Sequence, residues 1–344
     1  MRVGIVGCGH ISNRHLHHLK SMQDIELVGV CDLNKQAAEL IARRFRIKNA
    51  YQNFSMFLRD CSPKVVHILT PPQFHKNLAL EAMASGCHVL VEKPMAINVE
   101  EAQAMVSASE LHKVWLAVCH NFLFIPAFVA AQRMVNRGEL GRILSAELFW
   151  KVTSFATGDR SRMPQWIGGL PGGIFHEIAP HPIYLLQAIL GNLEVISAVA
   201  KKMNKDVPYP ADELKVMLDS ESGPGVMSIS VGTQPVQKFI RIYGTKLTLH
   251  IDLATSTLLK LRSYGSGETA RALLNIDQSL QLMAKTAINA ILYATGHLKR
   301  GHEGLIAYFY EKMRNADHSE INGQKGLMTV SILDKIWSKL EMKS

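Results

Sequence analysis

The chain has 344 residues, of which 47% are hydrophobic and 19% are charged, and its formal net charge at pH 7 is +9. This length favours two domains, and the composition excludes a disordered or fibrous chain and is that of a globular protein with a substantial core. The lysines and arginines are dispersed and surround no recognisable nucleic-acid-binding motif. The positive charge therefore favours attraction of anionic small molecules over binding of nucleic acid.

Hydropathy and cysteine usage indicate a cytoplasmic protein. No run of 18 or more apolar residues occurs in the sequence, which predicts that no helix spans a membrane. The first residues read directly into a strand and a glycine turn instead of a secretory signal. The five cysteines are odd in number and widely spaced, so we expect buried free thiols in a reducing compartment and not a disulfide framework.

The first 122 residues alternate between short apolar runs and helical patterns. The predicted strands are Arg2–Val6, Glu26–Cys31, Val65–Leu69, His88–Glu92 and Val114–Val118, and the predicted helices are His10–Lys20, Lys35–Phe45, Asn53–Leu58, Gln73–Ser85 and Val99–His112. Short β-branched strands that alternate with helices are typical of a parallel sheet covered on both faces. We therefore expect residues 1–122 to form a doubly wound α/β domain.

The pattern changes after residue 122. A helix is predicted over Pro126–Arg137 and a strand over Ile143–Val152. Between Glu194 and Leu261, alternating apolar and polar runs predict an open, mainly antiparallel sheet; they include Glu213–Asp219, Val226–Val231 and Phe239–Tyr243. Helices are predicted within Ser279–Met313 and Gly326–Met342. Residues 123–344 are thus expected to form an α+β domain.

A glycine loop joins the first predicted strand to the first predicted helix: residues 4–12 read Gly-Ile-Val-Gly-Cys-Gly-His-Ile-Ser. The first glycine after the strand permits a tight turn, and the next one lets a pyrophosphate approach the backbone and the helix N-terminus. Asp32 ends the second predicted strand, where an acid accepts hydrogen bonds from ribose hydroxyls and repels a 2′-phosphate. The pattern predicts a Rossmann site for NAD, with NADP as the open alternative. The predicted cofactor contacts here are Gly7, Gly9, His10, Ile11 and Asp32.

Two further motifs lie at the ends of predicted parallel strands, where ligands bind in open α/β sheets. One is Thr70-Pro71-Pro72 with His75, and the other is Glu92-Lys93-Pro94. A lysine at such a place can donate a hydrogen bond to a substrate oxygen and stabilise developing negative charge. The peptide bond before Pro94 can be cis, because the trans preference is small before proline.

Together with the glycine loop, Asp32 and the run Ser85–Pro94, these motifs resemble the glucose–fructose oxidoreductase, inositol dehydrogenase and rhizopine-catabolism family (Gfo/Idh/MocA). The resemblance extends over nearly the whole chain and is strongest in the N-terminal domain. It implies that Lys93 contacts the substrate hydroxyl near the nicotinamide and that Glu92 lies beside the cofactor. The cofactor contacts that it adds are Thr70, Pro71, Pro72, His75, Glu92 and Lys93.

A second motif lies in the C-terminal domain, where Gly172–His181 is similar to the family's Gly-Gly-x-x-x-Asp-x-x-x-His pattern. His181 matches the histidine, and Glu177 stands where Asp is commoner. On one helix these two side chains would share a face. A histidine that titrates near neutrality can exchange a proton with an alcohol, and Glu177 can orient it or bind a sugar hydroxyl. The predicted catalytic residues are therefore Lys93, His181 and Glu177.

Asn121 and Trp166 are predicted cofactor neighbours, since the resemblance places their regions near the nicotinamide and substrate. His120 is a further candidate, and ordinary packing explains each of the three equally well. No metal site is predicted: His176 and His181 are five residues apart, whereas a zinc-protease helix spaces its histidines by four. The histidines of the first helix (His15, His17 and His18) have no nearby carboxylate or cysteine in the sequence and are expected to be exposed.

The resemblance implies hydride transfer between NAD(P) and a CH–OH or C=O group of a sugar, inositol or nucleotide-linked sugar. It also implies that residues 123–344 serve for substrate binding and oligomerisation, with a homodimer or homotetramer that pairs through the open sheet. Three alternatives remain open: a glycosidase whose NAD is transiently reduced and recycled in place, a non-enzymatic dinucleotide-binding regulator, and a reductase of a non-sugar carbonyl or tetrapyrrole. In each enzymatic case the cofactor supplies the redox chemistry and the protein supplies position and charge.

Overall fold

The structure, a computed structural model, describes residues 1–152, 165–296, 301–315 and 321–341. The chain divides into two compact units: Met1–Asn121 with His302–Ser331, and Phe122–Gly301 with Ile332–Ser344. The predicted division after residue 122 placed all later residues in one domain, whereas His302–Ser331 packs in the first unit. The assignment of the second domain to substrate binding and oligomerisation stays a prediction.

A six-stranded parallel sheet organises the first unit. Its strands are β1 (Arg2–Val6), β2 (Glu26–Cys31), β3 (Ala50–Tyr51), β4 (Val65–Ile68), β5 (His88–Val91) and β6 (Leu116–Val118). Their order is β3-β2-β1-β4-β5-β6, and every neighbouring pair is parallel. This is the strand order of the Rossmann fold, which confirms the predicted fold class. The sequence did not predict β3, because two residues are too few to show a periodicity.

Five helices of the first unit follow strands, as predicted: α1 (His10–Ser21), α2 (Lys35–Phe45), α3 (Phe54–Cys61), α4 (His75–Ala84) and α5 (Val99–Leu111). Asparagine side chains cap α2, α3 and α5 by accepting hydrogen bonds from backbone N–H groups of the first turn. The predicted helix Gln73–Ser85 begins instead as a 3-10 turn over Pro72–Phe74, and α4 starts at His75. All five cysteines of the chain are buried free thiols in this unit, which confirms that prediction.

A seven-stranded sheet organises the second unit. Its elements are α6 (Pro126–Asn136), β7 (Ile143–Lys151), α7 (Ile174–Ile178), α8 (Pro180–Leu190), β8 (Glu194–Lys201), β9 (Glu213–Asp219), β10 (Gly225–Ser230), β11 (Gln237–Gly244), β12 (Leu247–Asp252), β13 (Thr257–Arg262) and α9 (Glu268–Ala294). The strand order is β13-β12-β11-β7-β10-β9-β8. Only the pair β7–β10 is parallel among these described strands. The predicted mainly antiparallel sheet is therefore confirmed.

The C-terminal helices differ in their bounds from the predicted ones. Helix α9 begins at Glu268, well before Ser279, with an acid in its first turn where the helix dipole favours it. The predicted helix Ser279–Met313 includes residues 297–300, which lie outside the described residues, and α10 covers Gly301–Asn315. The last helix, α11, covers Gly323–Glu341, and Met342 is not among the described residues. Over the described ranges, no helix combines the length and hydropathy needed to cross a bilayer.

Candidate active site

The glycine loop of the first unit has the geometry that a dinucleotide needs. Gly7 has φ +92°, and a Cβ there would lie 2.7 Å from the carbonyl carbon and oxygen of Leu69, so only glycine fits the turn. A Cβ on Gly9 would meet no heavy atom within 4 Å. Gly9 is also the N-cap of α1 and gives no side-chain cap. The first N–H groups of α1, at His10 and Ile11, thus begin a helix terminus that a phosphate can approach.

Two buried polar atoms near this loop support the fit of a dinucleotide. Asn13 Oδ1 and Thr70 Oγ1 are buried and have no hydrogen-bond partner among the described residues. Asn13 also lines a cavity of about 750 Å³ with Gly9, His10, Arg43 and others. A buried polar atom without a partner is costly, and a bound ligand with hydroxyl or phosphate groups can supply the missing partners. The residues at this site therefore fit a dinucleotide.

Asp32 is tied to the glycine loop. One of its oxygens, Oδ2, accepts a hydrogen bond of 2.7 Å from the Cys8 N–H, and Oδ1 accepts one of 2.8 Å from the Asn34 N–H. Each carboxylate oxygen can accept a second hydrogen bond, so the acid can still receive a ribose hydroxyl. The residue that caps α2 is Asn34 and not Asp32.

The His75 side chain contacts the backbone on both sides of the Thr70–His75 turn. The His75 ring is fully buried, with Nδ1 3.0 Å from the Pro94 carbonyl oxygen and Nε2 2.8 Å from the Thr70 carbonyl oxygen. Burial lowers the pKa of His75. What the structure shows is a ring that joins the Thr70-Pro71-Pro72 turn to the Lys93–Pro94 turn; as a direct cofactor contact, His75 stays a prediction. The Lys93–Pro94 peptide bond is cis.

Glu92 is a buried carboxylate surrounded by donors. His15 Nε2 lies 3.2 Å and His302 Nε2 lies 3.7 Å from its Oε1, while its Oε2 accepts the Lys93 backbone N–H at 3.2 Å. Burial alone would raise the pKa of the Glu92 carboxyl, but the hydrogen bond from His15 and the nearby His302 ring outweigh it and hold that pKa well below its usual range. A neutral imidazole can donate such a hydrogen bond, so Glu92 stays ionised beside Lys93.

A chain of buried rings continues away from Glu92. His15 Nδ1 lies 2.9 Å from His67 Nδ1, and His67 Nε2 lies 2.8 Å from the Tyr310 hydroxyl. Burial lowers the pKa of His15 and of His67, so both rings are neutral at pH 7. The prediction that the histidines of the first helix are exposed is wrong for His15, whose ring is fully buried. Its carboxylate partner is distant in sequence, and no local spacing could have revealed it.

Cys119, His120 and Asn121 follow β6 and lie close to this network. The Asn121 side-chain nitrogen is 3.2 Å from His302 Nδ1, so Asn121 holds the ring that faces Glu92. Burial lowers the pKa of His120 to about 3, which makes it a neutral histidine. Burial and the neighbouring Glu92 carboxylate raise the pKa of the Cys119 thiol well above its usual range.

The donor atoms of His15, Glu92 and Cys119 lie within 4.8 Å of one another, a spacing that a metal ion could use. The hydrogen bond of His15 to Glu92 and the contact of His302 with it already account for this arrangement without a cation. The absence of a metal site stays a prediction.

In the second unit, His181 lies among aromatic rings. Its ring stacks on Trp150 at 5.0 Å between centroids and meets Phe122 edge-on at 4.9 Å. Its Nδ1 is 2.8 Å from the Tyr184 hydroxyl, which also accepts the Phe122 N–H at 3.1 Å. A hydroxyl can donate to Nδ1 or accept from it. Tyr184 thus supports either tautomer of His181.

The glycines before this histidine have packing and backbone roles. A Cβ on Gly172 would lie 2.3 Å from the Trp337 indole, and Gly173 has φ +53°. Glu177 ends up on α7 and His181 on α8, with Ala179 between the two helices, so the two predicted partners are not on one helix. Trp166 lies in a 3-10 turn over Gln165–Gly169 and packs, partly buried, against the core of this unit.

Comparison with known proteins decides the family. Residues 1–120 match a family model described as an oxidoreductase family with an NAD-binding Rossmann fold, and residues 128–250 match the C-terminal domain model of the same family. The chain belongs to the Gfo/Idh/MocA oxidoreductase family. Its first unit therefore carries the NAD-binding Rossmann domain of that family, as the glycine loop predicted.

Relatives of this Gfo/Idh/MocA protein include sugar dehydrogenases. It is 30% identical over 224 residues to glucose-6-phosphate 3-dehydrogenase of Bacillus subtilis, covering 63% of this chain and 61% of that protein. It is 25% identical over 275 residues to D-apiose dehydrogenase of Paraburkholderia graminis, and the alignment covers 78% of this chain and 71% of that protein. The aligned region thus spans less than two thirds of the Bacillus protein.

Among solved structures, the WlbA dehydrogenase of Bordetella pertussis in complex with NADH and UDP-GlcNAcA has the same fold. The TM-score is 0.83 at 22% identity, and the match covers 100% of this chain and 96% of that one. At this identity the likeness shows the fold. The roles assigned to individual residues of this protein stay predictions, which the geometry above makes specific.

Proposed function

We propose that this Gfo/Idh/MocA protein is an NAD-dependent dehydrogenase that oxidises a secondary alcohol of a carbohydrate-like substrate. The observation that carries the proposal is the pairing of Lys93 with Glu92. A buried, ionised carboxylate accepts the Lys93 backbone N–H at 3.2 Å, in the same Rossmann unit as an open glycine loop. Such an arrangement gives a half-buried lysine a fixed backbone at the edge of the sheet where ligands bind.

In this proposal Lys93 binds and polarises the substrate hydroxyl. Its ammonium group donates a hydrogen bond to the hydroxyl oxygen and stabilises the negative charge that grows there as the proton leaves. NAD, when bound, accepts the hydride from the substrate carbon. Glu92, held ionised by His15 and His302, keeps the Lys93 backbone in place.

His181 is proposed to take the hydroxyl proton at Nε2. Tyr184 supports this step, because its oxygen can accept a hydrogen bond from Nδ1–H when the ring becomes an imidazolium. Stacking on Trp150 at 5.0 Å fixes the plane of the ring. Glu177 is proposed to bind a hydroxyl of the substrate. In the reverse direction the same groups protonate a carbonyl.

The substrate class is proposed from the relatives together with the charge of the chain. A glucose-6-phosphate 3-dehydrogenase and a D-apiose dehydrogenase are among the similar proteins, and the WlbA structure holds a nucleotide sugar. A net charge of +9 attracts anions. We therefore place anionic sugars first, namely sugar phosphates and uronate-bearing nucleotide sugars. We also propose a cytoplasmic location and a homo-oligomeric state.

A substrate screen with a matched inactive variant tests this function. The wild type and Lys93→Met are incubated with NAD⁺ and a panel of sugar phosphates, nucleotide sugars, free sugars and inositols, with NADH followed by absorbance. We expect at least one anionic sugar to produce NADH with the wild type and at least 100-fold less with Lys93→Met. Glycoside cleavage without net NADH would support the recycled-cofactor reaction, and NADH binding without any turnover would support the regulator.

A further inference from the structure

Helix α9 presents a long apolar surface to solvent. It runs over Glu268–Ala294, 27 residues, which corresponds to about 40 Å. Of the large apolar side chains on it that are exposed, Leu282 and Tyr293 lie on another side, and six lie close together around the helix: Leu273, Ile276, Leu280, Met283, Ile288 and Ile291. Their spacing places them along one side of the helix, together with Ala284 and Ala287. We call these eight residues the α9 stripe. Ala270 is the one buried residue of the helix.

The helix docks on its own unit through a different, polar side. Gln281 brackets the backbone of Lys260 on β13: it accepts the Lys260 N–H at 2.9 Å and donates to the Lys260 carbonyl oxygen at 3.0 Å. Further along, the Asn289 amide donates to the carbonyl oxygens of Thr255 and Ser256 at 2.9 and 3.0 Å. These bonds fix the rotation of α9. A surface helix ordinarily buries its apolar side and exposes its polar one, and here the arrangement is the reverse.

We propose that the α9 stripe is an interface with a second copy of this chain, in which two α9 helices pack antiparallel about a two-fold axis. The first half of the stripe holds Leu273 and Ile276, and Ala284 and Ala287 follow after Leu280 and Met283, with Ile288 and Ile291 at the C-terminal end. In an antiparallel pair centred on Leu280, Leu273 and Ile276 of one copy meet Ala287 and Ala284 of the other, and the same surface serves both partners. A parallel pair would set each alanine against an alanine and each large side chain against its own copy.

The charge and the size of α9 agree with a second copy as the partner. The helix contains two acids, Glu268 and Asp277, and two bases, Arg271 and Lys285. It has no net charge, so two copies do not repel one another, and it lacks the excess of basic residues that draws an interfacial helix to anionic lipid. Covering one side of a helix about 40 Å long and about 10 Å wide buries on the order of 600 Å². That is most of the roughly 800 Å² per partner of a standard interface.

The test is sedimentation of the full chain over a range of concentrations, with a variant on the stripe and a matched variant beside it. Leu280→Glu puts a charge at the middle of the stripe, and Asn275→Glu puts the same charge on the exposed neighbouring side of α9. We expect Leu280→Glu to raise the Kd of one two-fold association step by about 30-fold or more, and Asn275→Glu to leave it unchanged. Because Leu280 points to solvent, circular dichroism and the melting temperature should match the wild type. Ala287→Arg gives a second disruption at another point of the stripe.

Cysteine cross-linking tests the orientation. Since the five native cysteines are buried, introduced thiols on α9 are the reactive ones. The double variant Leu273→Cys/Ala287→Cys should form inter-chain disulfides that join residue 273 of one copy to residue 287 of the other, identified by peptide mass. Asn275→Cys should not cross-link.

Three results would overturn the proposal. The first is that Leu280→Glu and Ala287→Arg associate as the wild type does. The second is that cross-links join residue 273 only to residue 273. The third is a monomeric wild type that sediments with phosphatidylcholine–phosphatidylserine vesicles and loses that binding in Leu280→Glu, which would assign the stripe to a lipid surface. The proposal does not depend on the proposed enzymatic function.

Discussion

The imidazole Nε2 of His302, on α10, lies 3.7 Å from Oε1 of Glu92 at the end of β5. A residue near the C-terminus of the chain thus completes the surroundings of the carboxylate that precedes Lys93. Asn121 holds the other nitrogen of the same ring, at 3.2 Å. The first unit therefore depends on the return of the chain at His302, and these surroundings of Glu92 cannot be assembled from residues 1–121 alone.

Replacing His302 with Ala should destabilise the first unit. The substitution removes one of the donors that keep the buried Glu92 ionised, and leaving a buried charge less well satisfied costs about 1–3 kcal/mol. Urea unfolding followed by tryptophan fluorescence, to which Trp115 of this unit contributes, measures the loss. His112→Ala, on an exposed histidine of the same unit, is the control. Equal stability of the two variants would show that His302 contributes nothing to Glu92.

Replacing Gly9 with Ala should weaken NADH binding and leave the fold intact. An added Cβ meets no heavy atom of the protein within 4 Å, but it projects into the space that a pyrophosphate needs. We expect NADH affinity to fall by about tenfold or more with an unchanged melting temperature. Gly7→Ala, in contrast, should lower the melting temperature, because Gly7 has φ +92° and an added Cβ would lie 2.7 Å from backbone atoms of Leu69. Normal NADH binding by folded Gly9→Ala would place the cofactor elsewhere.

Replacing Asp32 with Ala should relax the preference for NAD. The side chain accepts the Cys8 and Asn34 N–H groups, and its charge repels a 2′-phosphate. We expect NADH to bind about tenfold more weakly and NADPH to bind more tightly than to the wild type. Calorimetric titration with both cofactors measures the two changes, with Asp60→Ala, an exposed acid of the same unit, as the control. An unchanged ratio of the two Kd values would remove Asp32 from the ribose site.

Replacing Lys93 with Met should lower turnover far more than cofactor affinity. Loss of the charge that stabilises the developing oxyanion is expected to reduce kcat by about 10²–10⁴-fold. The Kd for NADH should change less than threefold. The measurement pairs steady-state kinetics on a substrate found in the screen with cofactor titration, and Lys48→Met, on an exposed lysine, is the control. Equal losses of affinity and turnover would make Lys93 a structural residue.

Stability should fall as the pH drops below about 6.5, the pKa of an unfolded histidine. Burial lowers the pKa of His120 to about 3 in the folded chain, so unfolding takes up a proton at any pH between these two values. The stability that neutral His120 contributes is therefore fully present above pH 6.5 and is lost progressively as the pH falls toward 3. For His120 the free energy of unfolding at pH 5.5 is lower by about 1.4 kcal/mol than at high pH. His15, His67 and His75, whose pKa values are also lowered by burial, act in the same direction.

Urea titrations at pH 7.5, 6.5 and 5.5, followed by tryptophan fluorescence, measure this dependence. The variant His120→Gln should show a smaller decline between pH 6.5 and 5.5 than the wild type. A free energy of unfolding that is constant or rises over this interval would contradict neutral buried histidines.

Local patterns predicted most of the first unit. The bounds of β1, β2 and α2 follow from runs of branched apolar residues and from amphipathic spacing, both of which are properties of neighbouring residues. The glycine loop and the parallel strand order follow in the same way, because alternating strands and helices admit few topologies. The strand β3 was missed, since Ala50 and Tyr51 are placed by pairing with β2 and not by a pattern of their own.

The network around Glu92 was beyond sequence reasoning for a physical reason. His15 pairs with an acid 77 positions away, and His302 joins them only after residues 122–301 of the second unit have intervened. The three histidines of α1 look alike in sequence, yet His15 is fully buried while His17 is exposed. The burial of His15 alone could have been predicted, because His15 lies with Leu16 and Leu19 on the buried side of α1.

Calorimetric titration of the purified protein with NADH and NADPH, after removal of any bound cofactor, tests the central claim most directly. The account predicts one NADH site per folded chain with a Kd in the micromolar range or tighter, at least tenfold tighter than for NADPH. Binding of neither dinucleotide to a chain shown to be folded by circular dichroism would contradict it.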